Sequence, residues 1–348
     1  MHLALNALCE KNKMKYVIDK KMQLTNDAAV KPRVDVLEIL EMEGWKPIFL
    51  YDVSKPMLIR KIQLMHNILR FMRLGKNDIV LVQWTFELPF PLKRFKIEKL
   101  LKCKKILFVH DVESLRLQKS EFYEKDRFNQ YDVLVTHTER FKIWLEESGV
   151  QSSIVINKIF DYKLENTPIR HRNSCTKFKV VFAGALNKKK SGFLYTNIEP
   201  INYTLELYGN NYNGNVNDYI HYCGSFSPDE VVYRLDGDFG LVWDGNSTES
   251  CDGTFGNYLR YNCPYKCAMY IAAQLPVIIW KQAAMAEFVV ENEIGFAIDS
   301  IEDIDTVLSN MTEERYGHIL DNLRKIQKDV INGEYTKGCI KQALELLR

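Results

Sequence analysis

Residues 262–280 read NCPYKCAMYIAAQLPVIIW, a helix followed at once by a strand. Asn262 to Pro264 open the helix, because Pro is tolerated at the first helical position, where no backbone N–H is needed. The helix stops near Gln274, and Pro276 opens the strand PVIIW. Lys266 falls in the first helical turn. The positive end of the macrodipole lies there and disfavours a cation by roughly 0.3–1 kcal/mol. A lysine in that place is expected to meet an anion.

The same alternation extends in both directions. KYVID, KPIFLYD, DIVLVQW, KKILFVHD and YDVLVTHT, from Lys15 to Thr138, are short β-branched or aromatic runs separated by helical stretches such as VDVLEILEMEG and FKIWLEESG. After IVINKIFDY and a polar stretch at 163–176, the pattern restarts with FKVVFAG, TLELYG, IHYCG, FGLVWDG, PVIIW and IGFAI. Strand and helix in turn imply parallel sheets with crossover helices. Residues 312–348 read as terminal helices. The fold class is therefore α/β, two doubly wound, Rossmann-like units in tandem with a ligand crevice at the strand carboxyl ends. The expected domains are 1–160 and 161–348, in keeping with a chain of 348 residues.

Composition is that of a water-soluble globular chain, 46% hydrophobic and 26% charged. The longest apolar run, Ala268–Trp280, is interrupted by Gln274 and Pro276 and is too short for the roughly 20 residues of a membrane span. The opening MHLALNALCE lacks the basic and apolar regions of a secretory signal, so a cytoplasmic location is expected. Eight cysteines without a C-x-x-C pair read as reduced thiols. A net charge of +2 argues against nucleic acid as a partner. The charge is uneven, however: residues 1–150 hold 27 Lys and Arg against 20 Asp and Glu, and residues 151–348 hold 20 against 25. IRKIQLMHNILRFMR and PLKRFKIEKLLKCKK combine helical apolar spacing with basic residues, as interfacial helices do, although half-buried core helices read alike. The basic balance favours weak peripheral contact with an anionic membrane surface.

Polar residues gather where the strands end. VHDVES puts His110, Asp111 and Glu113 at the mouth of the first unit. In the second, VFAG releases into ALNKKKS and FGLVW into DGNSTESCDGTFGNY. Two strand ends and one helix start thus offer Lys188, Lys189, Lys190 and Lys266 to one crevice. A diphosphate suits that arrangement.

The stretch FGLVWDGNSTESCDGTFGNYLRYNCPYK, with AAQLPVIIW and AAMAEFVVENEIGFAI after it, closely resembles bacterial β-1,6-galactofuranosyltransferases of O-antigen and capsule assembly. It is similar, less closely, to streptococcal glucosyltransferases that extend serine-rich adhesin glycans. The strong resemblance spans about residues 178–310, and the first half matches more loosely at LTNDAAVKPRVDVLEIL and VHDVESLR. The resemblance implies a GT-B glycosyltransferase, with a UDP-sugar donor held mainly by the second domain and an oligosaccharide acceptor, which could be lipid-linked, held by the first. Position by position it implies that Lys188 and Lys266 meet the donor diphosphate, and that Tyr208 lies at the nucleotide. Lys188 departs from a family arginine and offers a point charge in place of a fork. Tyr265 of CPYK and Glu287 join the implied donor set.

Asp236-Gly237-Asp238 spells D-x-D but precedes a strand, so it reads as a turn. No metal and no other cofactor are expected, with lysines and the helix dipole meeting the leaving-group charge. Retaining GT-B enzymes often carry two glutamates separated by seven residues; Glu287 is present, but the earlier position is Ile279. That favours inversion, and direct displacement needs a base. Asp111 is the first candidate, followed by His110, with Asp27 and Glu113 behind. The alternatives are a UDP-glucose-dependent glucosyltransferase and a non-catalytic partner of a glycosyltransferase, and a homo-oligomer is compatible with either.

Overall fold

A computed structural model describes residues 14–22, 30–84, 97–99, 101–169 and 177–348. In the first domain the strands are β1 (Lys15–Lys21), β2 (Lys46–Asp52), β3 (Ile79–Trp84), β4 (Lys104–Val109), β5 (Val133–Thr136) and β6 (Ser153–Ile156). Its helices are α1 (Lys31–Met42), α2 (Met57–Phe71), α3 (Glu113–Arg116), α4 (Lys125–Phe128) and α5 (Glu139–Glu147). The second domain carries β7 (Phe178–Ala183), β8 (Tyr203–Tyr208), β9 (Ile220–Gly224), β10 (Phe239–Val242), β11 (Val277–Trp280) and β12 (Gly295–Ile298). Between and after them come α6 (Pro228–Arg234), α7 (Gly253–Tyr258), α8 (Tyr265–Ala272), α9 (Ala286–Glu291), α10 (Asp303–Ser309), α11 (Glu313–Asn332) and α12 (Glu334–Leu346).

Each sheet has six parallel strands, in the orders β2-β1-β3-β4-β5-β6 and β12-β11-β10-β7-β8-β9. Strands covered by helices on both faces read as unbroken apolar runs rather than as alternations, and β3, β5, β7, β10 and β11 accordingly lie almost wholly inside. The order in which strands are added reverses between β1 and β3 in one sheet and between β7 and β10 in the other. At such a switch point the crossover connections diverge and leave a crevice at the carboxyl ends. The six cysteines among the described residues are free thiols, five of them buried.

The stretch PLKRFKIEKLLKCKK is not a single basic helix where it is described. Ile97–Lys99 form one 3-10 turn, and the strand β4 has begun by Lys104. IRKIQLMHNILRFMR does form a helix, α2, which puts Leu64 and Phe71 into the core. Asn67 of α2 donates to the carbonyls of Phe49 and Leu50, at 2.6 and 3.1 Å, on the edge strand β2.

The two domains are joined twice. Asp161–Lys163 lead from the first to the second, and after α11 the chain turns at Gly333 and α12 returns to pack on β5, β6 and α1. Gly333 has φ +78°, and a Cβ there would come within 2.6 Å of the Ile39 side chain, so only glycine lets α1 approach so closely. Beside this crossing Asp161 accepts from the N–H groups of Tyr335 and Thr336, at 3.3 and 2.7 Å, at the start of α12. Lys31 donates to Asp35 at 3.0 Å, the Lys163 carbonyl at 3.1 Å and Asp229 at 2.8 Å, and so links α1 to the connecting segment and to α6.

Candidate active site

At the second switch point β7 ends in Gly184 and the turn 187–190, while β10 runs into Trp243-Asp244-Gly245. The two edges are tied together, since Gly245 N–H donates to the Lys190 carbonyl at 2.9 Å and Phe193 N–H to the Gly245 carbonyl at 3.1 Å. Lys266 enters from the first turn of α8, where Pro264 is the N-cap rather than the first helical residue. Its ammonium donates to Asp244 Oδ1 at 2.9 Å and to the Trp243 carbonyl at 3.2 Å, and stands 4.4 Å from the centre of the Phe182 ring. An ammonium has three N–H donors. Two are spent here, and the third is not taken by a protein oxygen among the described residues.

Lys266 therefore already has an anion, Asp244, and the two side chains are only 9% and 8% exposed. Sequence reasoning missed Asp244, although its place directly after β10 at a switch point was the available signal. Burial lowers the Lys266 pKa and Asp244 opposes that, while the neighbouring charge of Lys190 lowers it further. Lys190 also acts on Asp111 across the cleft, and its ammonium lies 5.9 Å from the centre of the Phe255 ring. Lys188 and Lys189 point out of the same turn as exposed side chains. Of the three lysines, Lys190 is the one whose charge reaches both Asp111 and Lys266.

Opposite stands Asp111, two residues beyond β4. Its Oδ1 accepts from the Tyr258 hydroxyl of α7 at 2.9 Å, and that hydroxyl accepts from the Val112 N–H at 3.2 Å. Arg116 is 3.7 Å from Oδ2. The carboxylate lies deep between the domains, yet its side chain is 39% open to solvent. Burial raises its pKa above the ordinary value, against the pull of Arg116, Tyr258 and Lys190.

His110 is differently placed. Gln83 gives its amide N–H groups to Asp19 Oδ2 at 2.9 Å and to the Arg33 carbonyl at 3.0 Å, so its oxygen is left to accept from His110 Nε2 at 2.8 Å. That chain assigns the proton to Nε2 and the lone pair to Nδ1, which is buried without a partner among the described residues. Burial, Arg33 and His137 hold the His110 pKa well below its ordinary value. The ring is neutral and stacks on Phe160 at 5.6 Å. Of the two, Asp111 is the group that an entering hydroxyl could reach.

The other candidates are scattered. Asp27 lies outside the described residues. Glu113 opens α3, two residues after Asp111. Tyr208 is buried at the end of β8, where its hydroxyl accepts from the Asp236 N–H at 3.0 Å. Tyr265 spends its hydroxyl on Asp35 at 2.8 Å and stacks on Tyr162 at 5.0 Å, a bond between the domains. Glu287 is exposed on α9. The D-x-D carboxylates are held at the opposite end of the strands, where Asp236 pairs with the Lys179 ammonium at 2.5 Å and Asp238 accepts from the Lys179 N–H at 2.8 Å.

Two family models match the chain, "Glucosyltransferase 3-like, N-terminal domain" over residues 14–159 and "Glucosyltransferase 3-like, C-terminal domain" over residues 180–343. The β-1,6-galactofuranosyltransferase WbbI of Escherichia coli K12 is 33% identical over 280 residues, 79% of this chain and 82% of that protein. The chain belongs to the glucosyltransferase 3-like family. Glucosyltransferase 3 of Streptococcus gordonii is 26% identical over 327 residues, 89% of this chain and 92% of that protein. Among solved structures, the lipopolysaccharide outer core galactosyltransferase WaaB superposes with a TM-score of 0.54 at 12% identity, over 95% of this chain and 100% of that one. This glucosyltransferase 3-like chain is thus a glycosyltransferase of the GT-B type, with its lysines and Asp111 on facing domains of that fold.

Proposed function

We propose that the protein transfers a galactofuranosyl residue from UDP-galactofuranose to a hydroxyl of a growing bacterial surface glycan, such as an O-antigen or capsule repeat unit, forming a β-linkage. The observation that carries this reading is Asp111 itself, a carboxylate 39% open to solvent and bonded to Tyr258 of the facing domain, with Lys190 near enough for its charge to act on both Asp111 and Lys266. The acceptor oxygen attacks the anomeric carbon as its bond to the diphosphate breaks. Its proton passes to Asp111, and the electron pair leaves with UDP. The raised pKa of Asp111 strengthens it as a base. Charge growing on the diphosphate is met by Lys190 and the spare N–H of Lys266, in a site where such stabilisation outweighs its value in water. One displacement inverts the anomeric centre, so an α-linked donor gives a β product.

The reaction needs no metal in this scheme, since the cations come from side chains and the D-x-D carboxylates are engaged by Lys179. The 33% identity to WbbI favours galactofuranose, whereas the relative named for glucosyl transfer is 26% identical. Incubation with a panel of UDP-sugars that includes UDP-galactofuranose, with α-glucoside acceptors and mass analysis of products, tests the reading. A glucosyl product would replace the donor. No product with any donor would favour a non-catalytic partner.

A further inference from the structure

Helix α2 has two apolar faces. Leu64, Asn67 and Phe71 turn inward, whereas Leu58, Ile62, Met65, Leu69 and Met72 form a second stripe, each 57–70% exposed. At 3.6 residues per turn the outer stripe lies about 145° from the inner one, so no rotation of α2 could bury both against its own sheet. Scattered exposed apolar side chains are ordinary, but a continuous ridge of them along one helix marks a contact surface.

The charges around the ridge choose its occupant. No Asp or Glu occurs between Asp52 and Asp78, a span that contains Lys55, Arg60, Lys61, Arg70, Arg73 and Lys76. Arg60 is turned to the carbonyls of Val53 and Lys55. Lys61 flanks one side of the stripe and Arg73 the other, with Lys55 and Lys76 exposed beyond the two ends. The 4-3-4-3 spacing of the ridge would also suit a second helix. A second copy of this chain, however, would set cation against cation along both flanks, where paired helices require opposite signs. An anionic surface with an apolar interior meets both demands at once.

We infer that α2 is the surface by which this protein docks on an anionic lipid bilayer, lying flat with Leu58, Ile62, Met65, Leu69 and Met72 among the acyl chains and Lys61, Arg73 and Lys76 at the headgroups. Binding rests on both the ridge and the charges, and it weakens as salt screens the latter.

The test is flotation of the full chain with vesicles of phosphatidylcholine containing phosphatidylglycerol, compared with vesicles of phosphatidylcholine alone. The protein is expected to float with the former and to stay behind with the latter. The variant L58S/M65S/L69S is expected to lose about tenfold or more in vesicle affinity, and K61Q/R73Q/K76Q a similar factor with loss of the preference for anionic lipid. All six positions face solvent or lie on the flanks, so both variants should melt with wild type and transfer sugar to a soluble acceptor as wild type does. Failure of the wild type to float, or equal flotation of the serine variant, overturns the assignment. So does a wild-type dimer in light scattering that the serine variant dissolves, which would make a second copy the occupant. Flotation needs neither donor nor acceptor sugar, so its outcome is separate from that of the transfer assay.

Discussion

The hydroxyl of Tyr258, carried by the second domain, hydrogen-bonds Asp111, carried by the first, at 2.9 Å. This bond steadies the proposed base and holds its pKa below the level that burial alone would set. Two outcomes follow. Asp111→Asn should cut transfer by about 10²-fold or more, with UDP affinity nearly unchanged. Tyr258→Phe should keep activity at high pH but shift the acid limb of the rate profile. The base works ionised, so activity falls as pH drops through its pKa; removing a bond that lowers the pKa moves that fall to higher pH. A profile unmoved in Tyr258→Phe would take the base away from Asp111.

Lys266→Met should lower thermal stability without ligand. From the sequence alone the opposite is expected, because a cation leaves a helix N-terminus. The structure reverses the sign, since the substitution strands Asp244 at 8% exposure. Removing one partner of a buried pair costs about 3–5 kcal/mol, well above the dipole contribution. Adding Asp244→Asn should restore much of the melting temperature, while UDP binding and turnover remain impaired. Thermal melts with and without UDP separate the two roles.

Lys190→Ala should reduce UDP affinity and turnover by about tenfold or more, and Lys188→Ala by far less. The resemblance to the family puts the contact at Lys188, so titration calorimetry with UDP on both variants decides between the two lysines. Equal losses would mean that the exposed Lys188 swings in when the donor binds.

Tyr265→Phe should destabilise the protein by about 1–2 kcal/mol through the lost bond to Asp35 and leave UDP affinity unchanged. A fall in UDP affinity at unchanged stability would instead put Tyr265 in the donor site.

Transfer should survive EDTA. Loss of turnover on chelation, restored by Mn²⁺, would contradict the lysine-based scheme and return Asp236 and Asp238 to consideration.

Periodicity made most of the fold legible. Runs such as DIVLVQW and FGLVW are apolar because helices cover both faces of their sheets, and that pattern survives in one dimension. Strand ends were legible for the same reason, which is why Asp111, Lys190 and Lys266 could be placed at a crevice. Partnerships were not. Asp244 and Lys266 are 22 residues apart, Tyr258 and Asp111 147, and Tyr265 and Asp35 230. The first pair forms only once β10 and α8 pack together and the other two only once the domains are docked, and nothing in local spacing records them. The outward ridge of α2 was half visible, since helical spacing shows that apolar residues recur but cannot say which recurrence faces the core.

The bonds from Asp161 to Tyr335 and Thr336 lay the two interdomain passages of the chain side by side. Two adjacent strands of chain act as a door hinge rather than a ball joint: the lobes can swing about that line but resist twisting past each other. The bonds of Thr138 to the Tyr261 carbonyl and of Arg140 to the Gln282 carbonyl, like that of Tyr258 to Asp111, join the two leaves of the door. Any swing of the lobes about that line would part Tyr258 from Asp111, and closing would rebuild the contact. Parting the lobes would take from Asp111 both the burial that raises its pKa and the hydroxyl bond that lowers it, so the proton affinity of that carboxylate is set by how far the door is shut.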